Sequence, residues 1–317
     1  MGKQQTVWGQ SDGLQVLDVV NPMRYREFIS DQIEDRRIPL WTVNVELPVQ
    51  EWMLQLVWIP DQSYHQYPED DAEYAITSPK LTPVIDGSRR VALESEGAPH
   101  RYLKDADYGF RLTRFAAGWD LGLSYLNQTN NSRGVVQQVT EDTLSIRSSY
   151  VRTHVLGATF ARALGSVSVR GELAYVSDAV PLRRPDPEPV TVSGSATQEF
   201  KAVIGLDYNG ISSTLLSMQL FSSHLPDPGA YLLRDRTEQQ LSFLARRDFL
   251  NQVLSVEGLL VHSLNDRDGY WHLYGNYRYR SDINVRVGVD TYYGDRQAVF
   301  GQFKDASRVS VGVEYTF

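Results

Sequence analysis

Charged side chains recur at every second position of apolar stretches in this sequence, and that spacing decides which chemistry they can do. Arg170 and Glu172 alternate with apolar residues in "SVSVRGELAY", as do Arg286 and Asp290 in "INVRVGVDTYY". In a strand, alternate positions share one face, so such residues would line a single polar surface. The candidates for this lumen-lining surface are Arg111, Arg170, Glu172, Lys201, Asp207, Glu257, Arg278, Arg286, Asp290, Arg308 and Glu314. A surface of this kind attracts ions or closes on itself through salt bridges.

Arg278 and Arg286 are the pair with the most specific chemistry. If the "RSD" between their strands is a three-residue turn, the two side chains face each other directly. Facing guanidinium groups repel unless an acid or an anion lies between them. Two interpretations stay open: a site for carboxylate or phosphate groups, or internal pairing with a nearby acid. The candidate acids are Glu257, Asp290 and Glu314.

Enzyme chemistry finds little support in the sequence. A hydrolase would need a serine, a histidine and an orienting acid or amide close together, but the chain has neither a G-x-S-x-G elbow nor an H-E-x-x-H helix. The histidines are His65, His100, His154, His224, His262 and His272. By strand parity His262 faces outward and His272 inward, so these two cannot share a site. We predict no catalytic residues, no enzyme activity and no cofactor, while a scattered lipid-hydrolase triad stays an alternative.

Composition excludes further classes. The net charge of -8 and the pI of about 5.3 argue against a nucleic-acid partner. The absence of cysteine excludes a disulfide framework and a thiolate metal site, and we predict no metal. No stretch approaches the roughly 18 apolar residues that a membrane helix needs. The acidic run "PEDDAE" could bind a divalent cation or bridge lipopolysaccharide, but such runs are more often solvated loop tips.

The elements that position these side chains are strands. The carboxyl-terminal "SRVSVGVEYTF" alternates strictly, with Val309, Val311, Val313, Tyr315 and Phe317 on one face. Similar alternation continues upstream and predicts about 14 strands, many of a length that crosses a bilayer at a tilt. The first predicted strand lies near Lys3 to Trp8. The fold class is therefore all-β, and the alternation is compatible with either a sandwich or a membrane barrel.

The connections between the strands favour a barrel. Long links such as "GDRQAVFGQFKDAS" alternate with short ones such as "RSD", "ARALG" and "FAAG". An up-and-down antiparallel barrel of the outer membrane has short periplasmic turns and longer external loops, whereas a Greek-key sandwich has no reason for this regularity. We predict one barrel domain over residues 1–317. Residues 9–39 and 60–104 are predicted external loops, and a short helix in the first runs from Pro22 through Phe28. That loop either folds into the lumen or packs over the rim.

Aromatic residues of the apolar face concentrate near strand ends, as expected for girdles at the two membrane interfaces. The predicted interface aromatics are Trp41, Trp52, Trp58, Trp119, Trp271, Tyr277, Tyr279, Tyr293, Tyr315 and Phe317. Phe317 would anchor the last strand at the periplasmic interface.

Three stretches carry a family resemblance: "GKQQTVWGQSDGLQVLDVVNPMRYREFI", "RIPLWTVNVELP" and "LQLVWIPDQSYHQYP". Together they resemble an uncharacterised family of Gram-negative outer-membrane proteins, classed as a domain of unknown function. The resemblance implies secreted barrels that begin upstream with a signal peptide and further strands. This chain would then be the carboxyl-terminal part, without the signal peptide, and its first strand would have an unpaired edge. The resemblance also implies that the terminal Phe317 is recognised by the barrel-assembly machinery. It supplies no catalytic residues.

The predicted function is a channel or transporter-like barrel of the bacterial outer membrane. Small molecules would pass through or along its lumen, with hydrophobic and carboxylated compounds as the candidate classes. The predicted partners are outer-membrane lipid and lipopolysaccharide, the assembly machinery and a small solute, with no nucleic acid. A receptor or adhesin that acts through the long loops is a further alternative.

Overall fold

The alternating stretches form strands in the computed structural model, which describes residues 1–30, 33–83, 85, 89–99, 101–139, 142–184, 192–193, 196–227, 229 and 231–316. The strands are β1 Gly2–Gln4, β2 Leu40–Val49, β3 Trp52–Ile59, β4 Arg90–Ser95, β5 Asp107–Ala116, β6 Trp119–Thr129, β7 Gly134–Val139, β8 Thr143–Ser149, β9 Arg152–Leu164, β10 Val167–Ala179, β11 Val192–Ser193, β12 Thr197–Tyr208, β13 Thr214–His224, β14 Thr237–Phe249, β15 Leu254–Ser263, β16 Gly269–Arg280, β17 Ile283–Tyr293 and β18 Arg308–Tyr315. Helical structure is limited to α1, Ile33–Arg36, and one 3₁₀ turn, Gly301–Phe303. Within the described ranges no helix is long and apolar enough to cross a membrane.

A 14-stranded antiparallel sheet dominates the fold, in the order β1-β2-β3-β5-β6-β9-β10-β12-β13-β14-β15-β16-β17-β18. Strands that are neighbours in this sheet also follow each other along the chain, apart from four strands that lie in loops. The predicted up-and-down barrel of about 14 strands is therefore confirmed. No ladder joins β1 to β18 within the described residues, so each of these strands has one neighbour.

The connections alternate between the two ends of the sheet. At one end, here called the turn end, they are short, as at 50–51, 117–118 and 281–282. At the other, the loop end, they are mostly longer and include residues 5–39, 60–106 and 130–151. The connections 60–106 and 130–151, together with the one between β10 and β12, form a second sheet of four strands, in the order β11-β7-β8-β4. This loop sheet is absent from the sequence predictions, because its strands are short and lack a continuous apolar face.

Burial of the large sheet is inverted relative to a water-soluble protein. The aliphatic face is exposed, as at Leu123 and Ile204, which are 54% and 51% accessible. The polar face is buried: Glu172 and Gln219 are each 1% accessible, and Asp290 is fully buried. We call the polar face, which residues 5–30 cover, the inner face, and the aliphatic face the outer face. An extended apolar surface of this size marks contact with a partner or a membrane.

Two sequence predictions need correction. The first strand ends at Gln4, and Trp8 lies buried in the interior instead of continuing a strand. The helix inside residues 9–39 is Ile33–Arg36, not Pro22 to Phe28. Two features prevent a helix over the predicted stretch: Met23 bridges to Arg37, and Phe28 has a positive φ of 52°.

Candidate functional site

Residues 5–30 leave β1 and cross the inner face of the sheet, and we call them the inserted segment. The first anchor of this segment is the carboxylate of Glu172 on β10. It accepts hydrogen bonds from the backbone N–H groups of Gln10 and Leu17, the latter at 2.9 Å. Hydrogen bonds to a buried charge are stronger than neutral ones, and an unpaired carboxylate at this depth would be costly. Glu172 therefore fixes the path of the inserted segment over β10.

Asp12 of the inserted segment makes a second set of polar contacts. Its carboxylate pairs with the guanidinium of Arg170, which also lies 2.9 Å from Asp207 Oδ2. The side-chain amide of Gln219 donates to Asp12 Oδ2 at 2.7 Å and accepts from the Asp12 backbone N–H at 3.0 Å. The inserted segment is thus bound to β10, β12 and β13 through complementary charges and amides.

Two glycines on the inner face make room for apolar side chains of the inserted segment. A Cβ atom at Gly157 would lie 2.5 Å from Leu17, and one at Gly109 would lie 3.0 Å from Trp8. Both Leu17 and Trp8 are almost fully buried. Their burial against the wall adds a hydrophobic contribution to the polar anchors. Trp8 also donates its indole N–H to Gln55 at 2.8 Å.

Ser30, at the far end of the inserted segment, is held by the opposite part of the sheet. The Tyr274 hydroxyl lies 2.6 Å from the Ser30 carbonyl oxygen, and the Tyr292 hydroxyl lies 2.8 Å from Ser30 Oγ. Arg308 connects the segment to β17, because its guanidinium pairs with both Glu27 and Asp290. The inserted segment therefore spans the inner face from β10–β13 to β16–β18.

Asp290 is the centre of this second anchor. The Tyr270 hydroxyl donates to Asp290 Oδ1 at 2.6 Å, and Arg308 Nε lies 3.0 Å from Oδ2. Tyr270 also lies 3.0 Å from His272 Nδ1, and His272 Nε2 is 3.8 Å from Glu257. Of the acids proposed as partners for Arg278 and Arg286, Asp290 and Glu257 are thus engaged elsewhere.

Long connections cover the inserted segment at the loop end. Tyr74 packs against Phe303 and donates to the Ala306 carbonyl at 2.9 Å. The hydroxyl group of Ser78 donates to the Gln297 carbonyl at 2.6 Å, and this bond joins two of the long connections. Lys80 pairs with Asp266 at 2.6 Å. The loop end of the interior is therefore occupied by protein.

His65 illustrates how tightly this cover packs. Its Nδ1 accepts the Met23 backbone N–H at 2.7 Å, and its ring contacts Tyr25 and Tyr67 edge-on. Burial lowers the pKa of His65 from 6.5 to about 4, so the ring is neutral near pH 7. Burial likewise raises the pKa of Tyr25 to about 12. The contact between residues 60–106 and the inserted segment thus depends on an uncharged histidine.

At the turn end of β16–β18 the inner face is different, because its charged residues are open. Arg278 and Glu314 are exposed, and Arg286 is half-buried. None of the three makes a side-chain hydrogen bond or ion pair with the part of the chain that the structure describes. The prediction that Arg278 faces Arg286 is wrong. In the ladder of β16 and β17 Arg278 pairs with Asn284, and Asn276 pairs with Arg286, so the two arginines stand two positions apart along the strands. A bulge follows between Arg278 and Arg280, next to the turn.

The remaining predicted lumen residues fall on the same inner face. Arg111 lies 3.5 Å from the Val7 carbonyl of the inserted segment. Lys201 lies 3.4 Å from Glu199 and lines a cavity of 390 Å³ between the inserted segment and β9–β12. This cavity opens toward the loop end, where Asn131 and Leu182 contribute to its lining.

The predicted interface aromatics lie on the outer face, near strand ends. Trp41, Trp58, Trp271 and Tyr293 lie toward the loop end, and Trp52, Trp119, Tyr277, Tyr279 and Tyr315 toward the turn end. At the turn end arginine side chains stack on the rings: Arg114 over Trp52, Arg162 over Trp119 and Arg280 over Tyr279, at 5.1 to 5.5 Å. Phe317 lies outside the described residues.

The histidines do not form a catalytic group in the described part of the chain. His262 bonds Tyr293 on the outer face, whereas His272 is on the inner face, as strand parity predicts. His154 contacts Tyr125, and His224 contacts Thr237, both on the outer face. His100 lies outside the described residues. No group of three acids or histidines that could hold a metal ion occurs within the described ranges.

Comparison with known families finds one family whose profile matches this chain over its full length. A profile for proteins of unknown function, DUF1302, matches residues 1–317. The chain belongs to the DUF1302 family. A search of curated proteins finds no match to it.

Solved structures similar to this DUF1302 chain include porins. A triple mutant of Rhodopseudomonas blastica porin is 14% identical, with a TM-score of 0.39, over 84% of this chain and 75% of that chain. The KdgM porin in complex with disordered oligogalacturonate is 11% identical, with a TM-score of 0.30, over 67% of this chain and 93% of that chain. With TM-scores this low, these similarities do not determine the function.

Sequence reasoning missed several residues that hold the inserted segment. Gln219, Tyr274 and Tyr292 are uncharged, whereas the lumen-lining candidates predicted from the strand pattern are all charged residues. Tyr274 and Tyr292 lie at inner-face positions of β16 and β17, whereas Trp271 and Tyr293 lie at outer-face positions of the same strands. An aromatic residue on the polar face of a strand is the signal that could have identified them, because a tyrosine there needs a hydrogen-bond partner.

Proposed function

We propose that this chain is a β-barrel of the bacterial outer membrane that conducts small molecules and is closed at its loop end by the inserted segment. The observation that carries the proposal is the inverted burial of the sheet. A polar inner face and an aliphatic outer face suit a wall with lipid outside and a polar path inside. In this orientation the turn end faces the periplasm and the loop end faces outward.

The outer face supports the placement in a bilayer. Aromatic rings at both ends flank a band of exposed aliphatic side chains, the arrangement of interfacial girdles. The stacked arginines at the turn end place guanidinium groups where lipid phosphates would lie, and the rings beneath them provide a cation–π contact. Outer-membrane lipid and lipopolysaccharide are the partners that this surface fits.

Closure at one end is what distinguishes the proposed channel from an open pore. The turn end of the inner face carries exposed charges on β16 and β18, whereas residues 5–30 and their cover fill the loop end and reach Arg170 and Asp207 toward the turn end of β10 and β12. A solute would enter or leave only when the inserted segment moves or when a path opens beside it. The cavity of 390 Å³ beside the segment indicates solutes of small-molecule size.

Planar-bilayer recordings test the proposal. The wild-type barrel is compared with a variant in which Gly and Ser replace residues 9–30 at the same length. A matched control replaces the exposed loop residues 101–104 in the same way. We expect stable conductance steps from the first variant and a mostly closed state for the wild type and the control. Electrophoretic heat-modifiability shows that each barrel is folded. Folded barrels that are all equally silent would show that the chain is not a channel.

A further inference from the structure

A buried histidine on the inner face has one ring nitrogen without a hydrogen-bond partner. His272 on β16 is 8% accessible, and its Nε2 makes no hydrogen bond with the described residues. Glu257 Oε1 lies 3.8 Å from this nitrogen, which is too long for a hydrogen bond but within the range of an ion pair. Because an ionised carboxylate only accepts hydrogen bonds, the two groups attract each other only when Nε2 carries a proton.

The other ring nitrogen of His272 belongs to a group of hydroxyls that have fewer protons than contacts. The Tyr270 hydroxyl lies 3.0 Å from His272 Nδ1 and 2.6 Å from Asp290 Oδ1. The Tyr274 hydroxyl lies 2.6 Å from the Ser30 carbonyl oxygen and 2.9 Å from Asp290 Oδ1. Each hydroxyl has a single proton, so each can donate to only one of its two partners at a time.

The protonation state of His272 determines the partner to which Tyr270 donates. A neutral ring with its proton on Nε2 donates to Glu257, and Nδ1 is left to accept the Tyr270 proton. The other neutral form, protonated on Nδ1, would turn the Nε2 lone pair toward the Glu257 carboxylate, and this repulsion disfavours it. A charged ring donates from both nitrogens, so Tyr270 accepts from Nδ1 and donates to Asp290.

Tyr274 follows the choice of Tyr270. When Tyr270 donates to His272, Asp290 Oδ1 lacks a donor and accepts the Tyr274 proton, because a hydrogen bond to a charged acceptor is stronger than one to a carbonyl. The Ser30 carbonyl then loses its hydrogen bond. When Tyr270 donates to Asp290, Tyr274 is free to donate to Ser30. The two shortest contacts of this group, both at 2.6 Å, are the ones that the second arrangement requires.

The charges around His272 favour an additional proton. The titratable and charged groups that face the ring, directly or through one neighbour, are Glu257 of β15, Arg246 of β14, Tyr270 and Tyr274 of β16, Asp290 and Tyr292 of β17, Arg308 of β18 and Glu27 of the inserted segment. Three carboxylates and two guanidinium groups leave one negative charge, which a protonated His272 balances. The side chains of Glu257 and Arg246 are 27% and 51% exposed, so water at the turn end can deliver the proton.

We infer that His272 is a proton-binding site that strengthens the attachment of the inserted segment at Ser30 when the ring is charged. The attached form binds one proton more than the released form, so attachment strengthens as the pH falls and weakens as it rises. Histidine changes charge between about pH 5 and 8, and the effect belongs in that range. The inference deepens the proposed function by giving a regulation of the inserted segment, and it rests on that function only for its effect on conductance.

NMR of isotope-labelled histidine side chains in the folded barrel locates the protons, and His272→Gln identifies the signals of His272. We expect a neutral ring protonated at Nε2 near pH 8 and a ring protonated at both nitrogens near pH 5. A neutral ring protonated at Nδ1 near pH 8 would overturn the inference, because Tyr270 would then donate to Asp290 at both pH values. A ring that stays neutral near pH 5 would overturn it as well.

Hydrogen–deuterium exchange tests the coupling to the inserted segment. The parent chain carries His65→Asn, because burial of His65 gives the cover a pH dependence of opposite sign. Protection factors of residues 27–30 should be about fivefold higher near pH 5 than near pH 8, the effect of one neutral hydrogen bond. His272→Gln and Tyr270→Phe should each remove this difference, although His272 still takes up its proton in Tyr270→Phe. The matched control, His262→Gln at an outer-face histidine of β15, should keep it.

Two results would refute the coupling. One is equal protection of residues 27–30 at both pH values in the parent chain. The other is a pH difference that persists in folded Tyr270→Phe, because the proton on His272 would then act on the segment by a route that does not include the Tyr270 hydroxyl.

The outcome is separable from that of the proposed channel. A pH-dependent attachment in a barrel that never conducts, even after replacement of residues 9–30, would keep the proton site and reject the channel. Conductance without a pH dependence of protection would keep the channel and reject the proton site.

Discussion

Glu172→Ala tests whether the inserted segment is the gate. The carboxylate of Glu172 holds two backbone N–H groups, those of Gln10 and Leu17. Hydrogen bonds to a charged group contribute about 1.5–3 kcal/mol each, so their loss would weaken the attachment by about 3–6 kcal/mol. The substitution also removes the cost of burying the carboxylate, which places our expectation near 3 kcal/mol. At about 1.4 kcal/mol per factor of ten, the released state should become roughly 100-fold more populated.

Two measurements follow the released state. Hydrogen–deuterium exchange of residues 9–18 should accelerate by about the same factor, because local opening limits exchange there. Single-channel recordings should show a higher open probability in the same variant. Glu314→Ala is the control, because Glu314 is an exposed acid at the turn end that has no contact with the inserted segment in the described residues.

Each possible deviation has a clear meaning. Faster exchange without more frequent opening would show that the segment is held by Glu172 but does not close the path. An unchanged exchange rate in a folded variant would refute the assignment of Glu172 as an anchor. A matching effect of Glu314→Ala would show that general charge balance, and not the anchor, controls opening.

Three further predictions concern the packing, the pH dependence and the bilayer. Gly157→Ala places a Cβ 2.5 Å from Leu17 and should loosen the segment by about 1–3 kcal/mol, seen as faster exchange, whereas Gly312→Ala, with no atom within 4 Å, should be neutral. Because the folded pKa of His65, about 4, is below its ordinary 6.5, the unfolded state binds more protons in that interval. The free energy that holds the cover on the inserted segment should therefore fall by about 3 kcal/mol as the pH falls from 6.5 to 4. Hydrogen–deuterium exchange measures this change, and His65→Asn should remove the pH dependence. In single-tryptophan variants, brominated lipid should quench the five outer-face tryptophans but not Trp8, and quenching of Trp8 would contradict its place in the interior.

The strand framework was predictable because the lipid-exposed barrel wall has to alternate. The alternating residues Val309, Val311 and Val313 all lie exposed on the outer face, as their spacing predicts. The alternation of short and long links indicates the up-and-down topology. Bulges are different, because the extra residue at Arg278–Arg280 has no signature in the alternating pattern and shifts the register locally. The predicted arginine pair failed for another reason: a three-residue turn at 280–282 already places Arg278 opposite Asn284, which is the pairing observed, and Arg286 lies two positions further along β17. The inserted segment was predictable as a loop, but its path depends on distant partners such as Glu172 and Ser30.

The parts of the inner face with and without the inserted segment also differ in what their charges require. Where the inserted segment crosses the inner face, Glu172, Asp290 and Arg170 are deeply or partly buried, and each is paired with the inserted segment or with a residue that contacts it. Without the segment these groups would need water, because a buried unpaired charge is costly. At the turn end Arg278 and Glu314 are exposed and need no such partner. Movement of the segment is therefore feasible only if water or a polar solute replaces it. Opening of the proposed channel is thus coupled to wetting of the interior that the inserted segment fills.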